Sequence, residues 1–147
     1  MRSERPRKEA GTLPNLIVIG AMKCGTTALH RYLGLHPEVS VSEPKELNFF
    51  YGPERPNAHR DGEAVWHAGN WHRGVGWYAA QFRPAPVRIE ASPGYTSPSF
   101  PETANRMARV VPEARLVYLV RDPIERAVSQ YRHHRAEGAE KRPIEEA

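Results

Sequence analysis

Residues 16–27, Leu16-Ile17-Val18-Ile19-Gly20-Ala21-Met22-Lys23-Cys24-Gly25-Thr26-Thr27, are the stretch that decides the fold. Four consecutive branched apolar residues ended by glycine predict a fully buried strand over 15–20. A short polar loop follows. From Thr26 the apolar positions Leu29, Tyr32 and Leu33 recur at helical spacing until His36-Pro37 stops the helix. A strand that opens through a glycine-bracketed loop onto a helix turns several backbone N–H groups toward one point. The helix dipole adds roughly half a positive charge there. Gly20 and Gly25 permit the unusual dihedrals and close approach such a turn needs. Thr26 and Thr27 supply hydroxyl donors, and Lys23 supplies a mobile cation. The stretch reads as an anion cradle; the plainer reading is a strand–turn–helix corner with an incidental lysine. Its pattern, G-x-x-K-x-G-T-T, departs from the nucleotide-hydrolase loop G-x-x-x-x-G-K-[ST], because Thr26 stands where the lysine for the β- and γ-phosphates belongs.

Outward from this loop, 39–41 is a short alternating segment. Residues 51–76, rich in Gly, Pro, His and Trp without period, read as a long surface excursion. A short helix is expected over 76–82, a strand over 87–90, and a helix over 102–111 that ends at Pro112. Residues 116–120, Leu-Val-Tyr-Leu-Val, predict a second buried strand. Asp122-Pro123-Ile124-Glu125 then carries the signals of a helix start: Asp at the N-cap, Pro at the first position and Glu at the third. Alternating strands and helices predict an α/β chain with a parallel sheet.

Composition narrows the function classes. The 147 residues hold 21 Lys+Arg against 17 Asp+Glu, a formal charge of +4. That length suits one domain, here 14–147 behind a flexible basic tail over 1–13. Mean hydropathy is −0.65, and no apolar run approaches the ~18 residues of a membrane helix. A single cysteine excludes an intrachain disulfide scaffold. With no apolar leader-like segment after the basic N-terminus, the expected address is reducing and cytoplasmic. The seven histidines are scattered, and neither His-Glu-x-x-His nor Cys-x-x-Cys occurs, so no zinc site is expected. A pI near 9.5 favours anionic partners and leaves their class open.

Two motifs carry a family resemblance. Lys23-Cys24-Gly25-Thr26-Thr27 resembles the 5′-phosphosulfate loop of sulfotransferases that use 3′-phosphoadenosine 5′-phosphosulfate (PAPS). Residues 118–131, Tyr-Leu-Val-Arg-Asp-Pro-Ile-Glu-Arg-Ala-Val-Ser-Gln-Tyr, are similar to that family's 3′-phosphate segment. The resemblance runs from residue 15 to the end of the chain. It is closer to the Golgi-type and bacterial carbohydrate branch, heparan-sulfate sulfotransferases included, than to the cytosolic phenol and steroid group. It implies a P-loop-type three-layer α/β fold with a central parallel sheet, of which this chain is the N-terminal portion, C-terminally incomplete. It also implies that Lys23, Cys24, Gly25, Thr26 and Thr27 hold the phosphosulfate and that Arg121 and Ser129 hold the 3′-phosphate. The residues agree on chemical grounds: Arg121 leaves the carboxyl end of a parallel strand, where open α/β sheets bind ligands, and guanidinium matches phosphate bidentately. The plainer readings are a surface ion pair for Arg121 and a solvated helix position for Ser129.

Between the motifs lies Ser42-Glu43-Pro44-Lys45-Glu46-Leu47-Asn48-Phe49-Phe50. Sulfuryl transfer needs a base for the proton of the incoming hydroxyl or amine. In the heparan-sulfate-type enzymes a glutamate two residues before x-Phe-Phe fills that role, and the resemblance places it at Glu46. Glu43 is a weaker rival, Lys45 a partner for Glu46 or for the sulfonate, and Phe49 and Phe50 read as core anchors. Ile89-Glu90-Ala91 departs from the heparan-sulfate O-sulfotransferases, which carry a lysine where Ala91 stands; this argues against a heparan-like polyanionic acceptor. Trp66, Trp71 and Trp77 either line a sugar or lipid site or pack, and Cys24 is either a small packing residue or a reactive thiol.

The resemblance thus implies transfer of a sulfonate from PAPS to a hydroxyl or amine of an acceptor, with a carbohydrate as one candidate. Glu46 and Lys23 would be the catalytic residues, with no metal, no nucleic-acid partner and no membrane partner. Two alternatives stand beside it: a P-loop kinase or hydrolase using ATP and magnesium, and a nonenzymatic polyanion-binding module.

Overall fold

The computed structural model describes residues 12–51 and 69–147. Its elements run β1 (Leu16–Gly20), α1 (Thr26–Leu33), β2 (Val39–Val41), a 3-10 turn (Trp71–Arg73), α2 (Gly74–Ala79), β3 (Val87–Ala91), a second 3-10 turn (Pro93–Thr96), α3 (Thr103–Val110), β4 (Arg115–Tyr118) and α4 (Pro123–Ala136). The strands form one parallel sheet in the order β2-β3-β1-β4, with Leu16 opposite both Ile89 and Arg115. β1 is therefore central, flanked by a strand on each side, as its unbroken apolar run requires.

Successive residues of β1 face opposite sides of the sheet and seed two cores. Val18, with Ile89 and Ala91, packs under Leu29 and Leu33 of α1. Ile17 joins the larger core of Leu47, Phe49, Phe50, Tyr78, Phe82, Tyr95 and Met107, to which α2 and α3 contribute. These are the two outer layers of the expected three-layer fold. The larger core is largely aromatic: Phe49 stacks on Tyr78 with centroids 4.1 Å apart, and Phe50 meets both Tyr78 and Tyr95 edge-on at 5.3 Å.

At its centre lies Glu90, with no exposed surface. A buried carboxyl group survives only if hydrogen-bonded. Ser92 Oγ and the Tyr95 hydroxyl donate to Oε1 at 2.5 and 2.6 Å, and the Tyr78 hydroxyl donates to Oε2 at 2.6 Å. Burial pushes the Glu90 carboxyl above its ordinary pKa, while the three donors pull it back. Burial, and after it the same carboxyl, push the Tyr78 and Tyr95 hydroxyls up.

Three expectations need correction. The strand at 116–120 is shorter, ends at Tyr118 and is not buried: Leu116 and Tyr118 are each 53% exposed on β4, one of the two edge strands among the described residues. Leu13 is not tail; it packs on the larger core, and its carbonyl accepts from Arg88 Nε. The far end of the 51–76 excursion is not loose surface. Trp71 N donates to Tyr51 O at 3.0 Å, Asn70 Nδ2 donates to Leu47 O at 2.8 Å, and α2 begins at Gly74. The remainder of that excursion, Trp66 included, lies outside the described residues, as does most of the expected tail.

Phe49→Ala removes a ring that is fully buried and stacked, so it should lower unfolding stability by about 3–5 kcal/mol. Urea denaturation checks this as a lower midpoint at an unchanged slope.

Candidate functional site

The loop between β1 and α1 has the conformation of an anion nest. Lys23 and Gly25 take positive φ, 63° and 90°. Gly25 caps α1 with no side-chain hydrogen bond, and the first turn holds no acidic residue. The leading N–H groups of α1 therefore have no partner within the helix. Thr26 is buried, Thr27 exposed, and Lys23 makes no ion pair among the described residues.

The loop's carbonyls are held from the other side. Ladder bonds continue past the strand ends, with Ala21 N donating to Leu119 O at 2.9 Å and Leu119 N to Gly20 O at 2.8 Å. Tyr118 lies so close that a Cβ on Gly20 would stand 2.5 Å from its ring, which only glycine avoids. Arg121 Nη1 then reaches Lys23 O at 3.4 Å, and Arg126 Nε reaches Met22 O at 3.1 Å. Cys24 Sγ also donates to Met22 O, at 3.6 Å, which makes it part of the loop's internal bonding. The two expected phosphate motifs, 98 residues apart at Lys23 and Arg121, are thus in direct contact.

Arg121 is oriented by a second contact, Nε to Glu125 Oε2 at 3.1 Å. Two of its five N–H donors are so engaged, which leaves three for a ligand. The helix start is as expected: Asp122 Oδ1 accepts from Glu125 N at 3.0 Å, with Pro123 at the first helical position. Ser129 is half-buried on α4, two turns along; among the described residues no hydrogen bond ties it to Arg121 or to the loop.

Glu46 sits at the same carboxyl edge of the sheet. Its N–H donates to Ala91 O at the end of β3, and Ala91 is the register partner of Val18 in β1. Two strand spacings put its backbone about 10 Å from β1. Its side chain is 46% exposed and pairs with Lys45 Nζ at 2.5 Å. Glu46 and Asn48 both hold φ positive, at 63° and 46°. Non-glycine residues in this region cost of order 1–3 kcal/mol each and persist only where their surroundings over-determine them.

Sequence reasoning missed two parts of this arrangement. Arg126 clamps Met22, and its only signal was its place on the first turn after Arg121-Asp122. The Glu90 cluster was also missed; its signal was a carboxylate inside an apolar strand pattern, which demands buried partners. Trp71 and Trp77 settle as packing residues, with centroids 5.3 and 6.2 Å from Phe49.

A sequence profile described as "Sulfotransferase domain" matches residues 13–146. The chain is 32% identical over 145 residues to the bifunctional heparan sulfate N-deacetylase/N-sulfotransferase 2 of Bos taurus, covering 89% of this chain and 14% of that protein. It is 35% identical over 126 residues to the membrane-associated sulfotransferase kil1 of Dictyostelium discoideum, covering 81% and 22%. A crystal structure of a sulfotransferase from Alicyclobacillus acidocaldarius superposes with a TM-score of 0.73 at 33% identity, over 92% of this chain and 55% of that one. The chain therefore spans only a small part of the curated relatives. The kil1 match corrects the cytoplasmic expectation: a relative this similar is membrane-associated, and cysteine count and local hydropathy do not carry a protein's address. No described helix is long and apolar enough to cross a membrane.

Gly25→Ala isolates the loop's backbone requirement. An added Cβ would meet nothing within 4 Å, yet φ is 90°, so the cost should be the left-handed penalty alone, roughly 1–2 kcal/mol. Gly25→Asn should lose less, and denaturant titration of the two variants reads the difference.

Proposed function

The chain belongs to the sulfotransferase domain family, and on that premise we propose that it carries the PAPS-binding and base-bearing portion of an enzyme that transfers a sulfonate group to a carbohydrate hydroxyl or amine. The observation that carries this reading is the contact between Lys23 and Arg121, which joins an uncapped helix N-terminus to a guanidinium at one sheet edge. A donor with a phosphosulfate at one end and a 3′-phosphate at the other calls for two such cationic points. The lysine-before-glycine spacing and the family together leave the ATP–magnesium and nonenzymatic alternatives without support.

In this reading Lys23, Gly25, Thr26 and Thr27 hold the phosphosulfate, with Cys24 bonded inside the loop. Arg121 and Ser129 hold the 3′-phosphate. Glu46 takes the proton as the acceptor oxygen or nitrogen forms its bond to sulfur and the sulfur–oxygen bond to the leaving phosphate breaks. Lys23 and the α1 N–H groups stabilise the negative charge that collects on that phosphate oxygen. Lys45 holds the Glu46 carboxylate until an acceptor enters. No step here calls for a metal. Heparan sulfate relatives support a carbohydrate acceptor, while Ala91 argues against one bound through a lysine at that position.

Two variants of the complete protein test this. Glu46→Gln should leave binding of adenosine 3′,5′-bisphosphate intact and lower transfer by about 10²–10⁴-fold, the usual loss of a general base; wild-type turnover would remove Glu46 from the mechanism. Arg121→Ala should weaken adenosine 3′,5′-bisphosphate by about 2–4 kcal/mol while barely affecting 5′-AMP, which lacks the 3′-phosphate. Calorimetric titration of both ligands reads the contrast, and equal losses would mean that Arg121 supports only the loop.

A further inference from the structure

We propose that Glu90 is a positioning residue, whose carboxylate holds the backbone that presents Glu46. The inference rests on the reading of Glu46 as the base. The segment 46–51 runs irregularly across the end of the sheet, and two of its N–H groups are met by side chains instead of a strand ladder. Asn48 N donates to Ser92 Oγ at 3.0 Å, and Phe49 N donates to the Tyr95 hydroxyl at 2.9 Å. Both hydroxyls in turn donate to the same atom, Glu90 Oε1. Glu90 Oε1 accepts from both, so both O–H groups turn inward and leave their lone pairs facing the backbone.

The result is a pair of two-step relays, from backbone N–H through hydroxyl to carboxylate. They hold the N–H groups on either side of the left-handed residue Asn48, two positions after Glu46, whose own N–H is held by Ala91 O. Asn70 completes the hold from outside through Leu47 O and Asn48 O. Glu90 itself is wholly buried and does not reach an acceptor. The third donor, Tyr78, meets the other oxygen and gives no hydrogen bond to 46–51, which supplies an internal control.

The test is made in the complete protein with saturating PAPS, together with melting temperature and affinity for adenosine 3′,5′-bisphosphate. Tyr95→Phe and Ser92→Ala each cut one relay and should lower kcat about 10-fold or more, since small misplacements of a reacting group have costs of this order. Donor affinity should stay within about 2-fold if the phosphate loop is untouched. Tyr78→Phe removes an equivalent bond to the same carboxylate and should hold kcat within about 3-fold even if it lowers the melting temperature. Glu90→Gln should retain most of kcat, because its amide oxygen still accepts from Ser92 and Tyr95 and its NH2 donates to Tyr78. If Tyr95→Phe and Ser92→Ala keep wild-type kcat, or if kcat falls equally in Tyr78→Phe and follows melting temperature throughout, Glu90 is only structural and the inference is overturned. Glu46→Gln run alongside separates the failures. An active Glu46→Gln removes the base itself; an inactive one beside a fully active Tyr95→Phe removes only the role of Glu90.

Discussion

The pairing of β1 with β4 is the constraint on which the site depends. It is a parallel ladder between segments about a hundred residues apart, and it continues past both strand ends through Gly20, Ala21 and Leu119. Parallel strands bring their carboxyl ends to one edge, so the loop after β1 and the arginine after β4 meet there without further design. Arg121 and Arg126 then close on the carbonyls of Lys23 and Met22. A loop held by its carbonyls from one side keeps its N–H groups and its lysine for an anion.

A second tier of organisation stands on β3. The Glu90 carboxyl gathers donors from α2, from the turn after β3 and from β3's own continuation, and through them reaches the segment that bears Glu46. The aromatic core surrounds this cluster and excludes water from it. The loop after β1 and the segment that carries Glu46 are thus built on neighbouring strands by different means, one by backbone pairing and the other by side-chain hydrogen bonds.

Much of this was legible in the sequence because it rests on local signals. The apolar run of β1, the helical spacing after Thr26 and the Asp-Pro-x-Glu start of α4 each depend on a few adjacent residues, and each element is where its residues place it. The family motifs pointed to Lys23 and Arg121, whose contact the fold supplies. What the sequence did not disclose is tertiary. Exposure of β4 follows from its place at the sheet edge, which an apolar pentapeptide cannot reveal. The docking of Asn70 and Trp71 onto 47–51 joins distant residues with no periodic pattern. Glu90 looked like one charge in a strand because its partners come from three separate places.

The central claim is that these two cationic points bind one nucleotide bearing both a 5′-phosphate group and a 3′-phosphate. Ligand-dependent melting of the protein that carries this chain tests it most directly, because whatever binds only the native state raises its stability, by about 2.7 kcal/mol at a hundred times the dissociation constant. The account predicts that adenosine 3′,5′-bisphosphate raises the melting temperature without added metal, whereas ATP with magnesium leaves it near that of the free protein. Stabilisation by ATP and magnesium with none by adenosine 3′,5′-bisphosphate would contradict it.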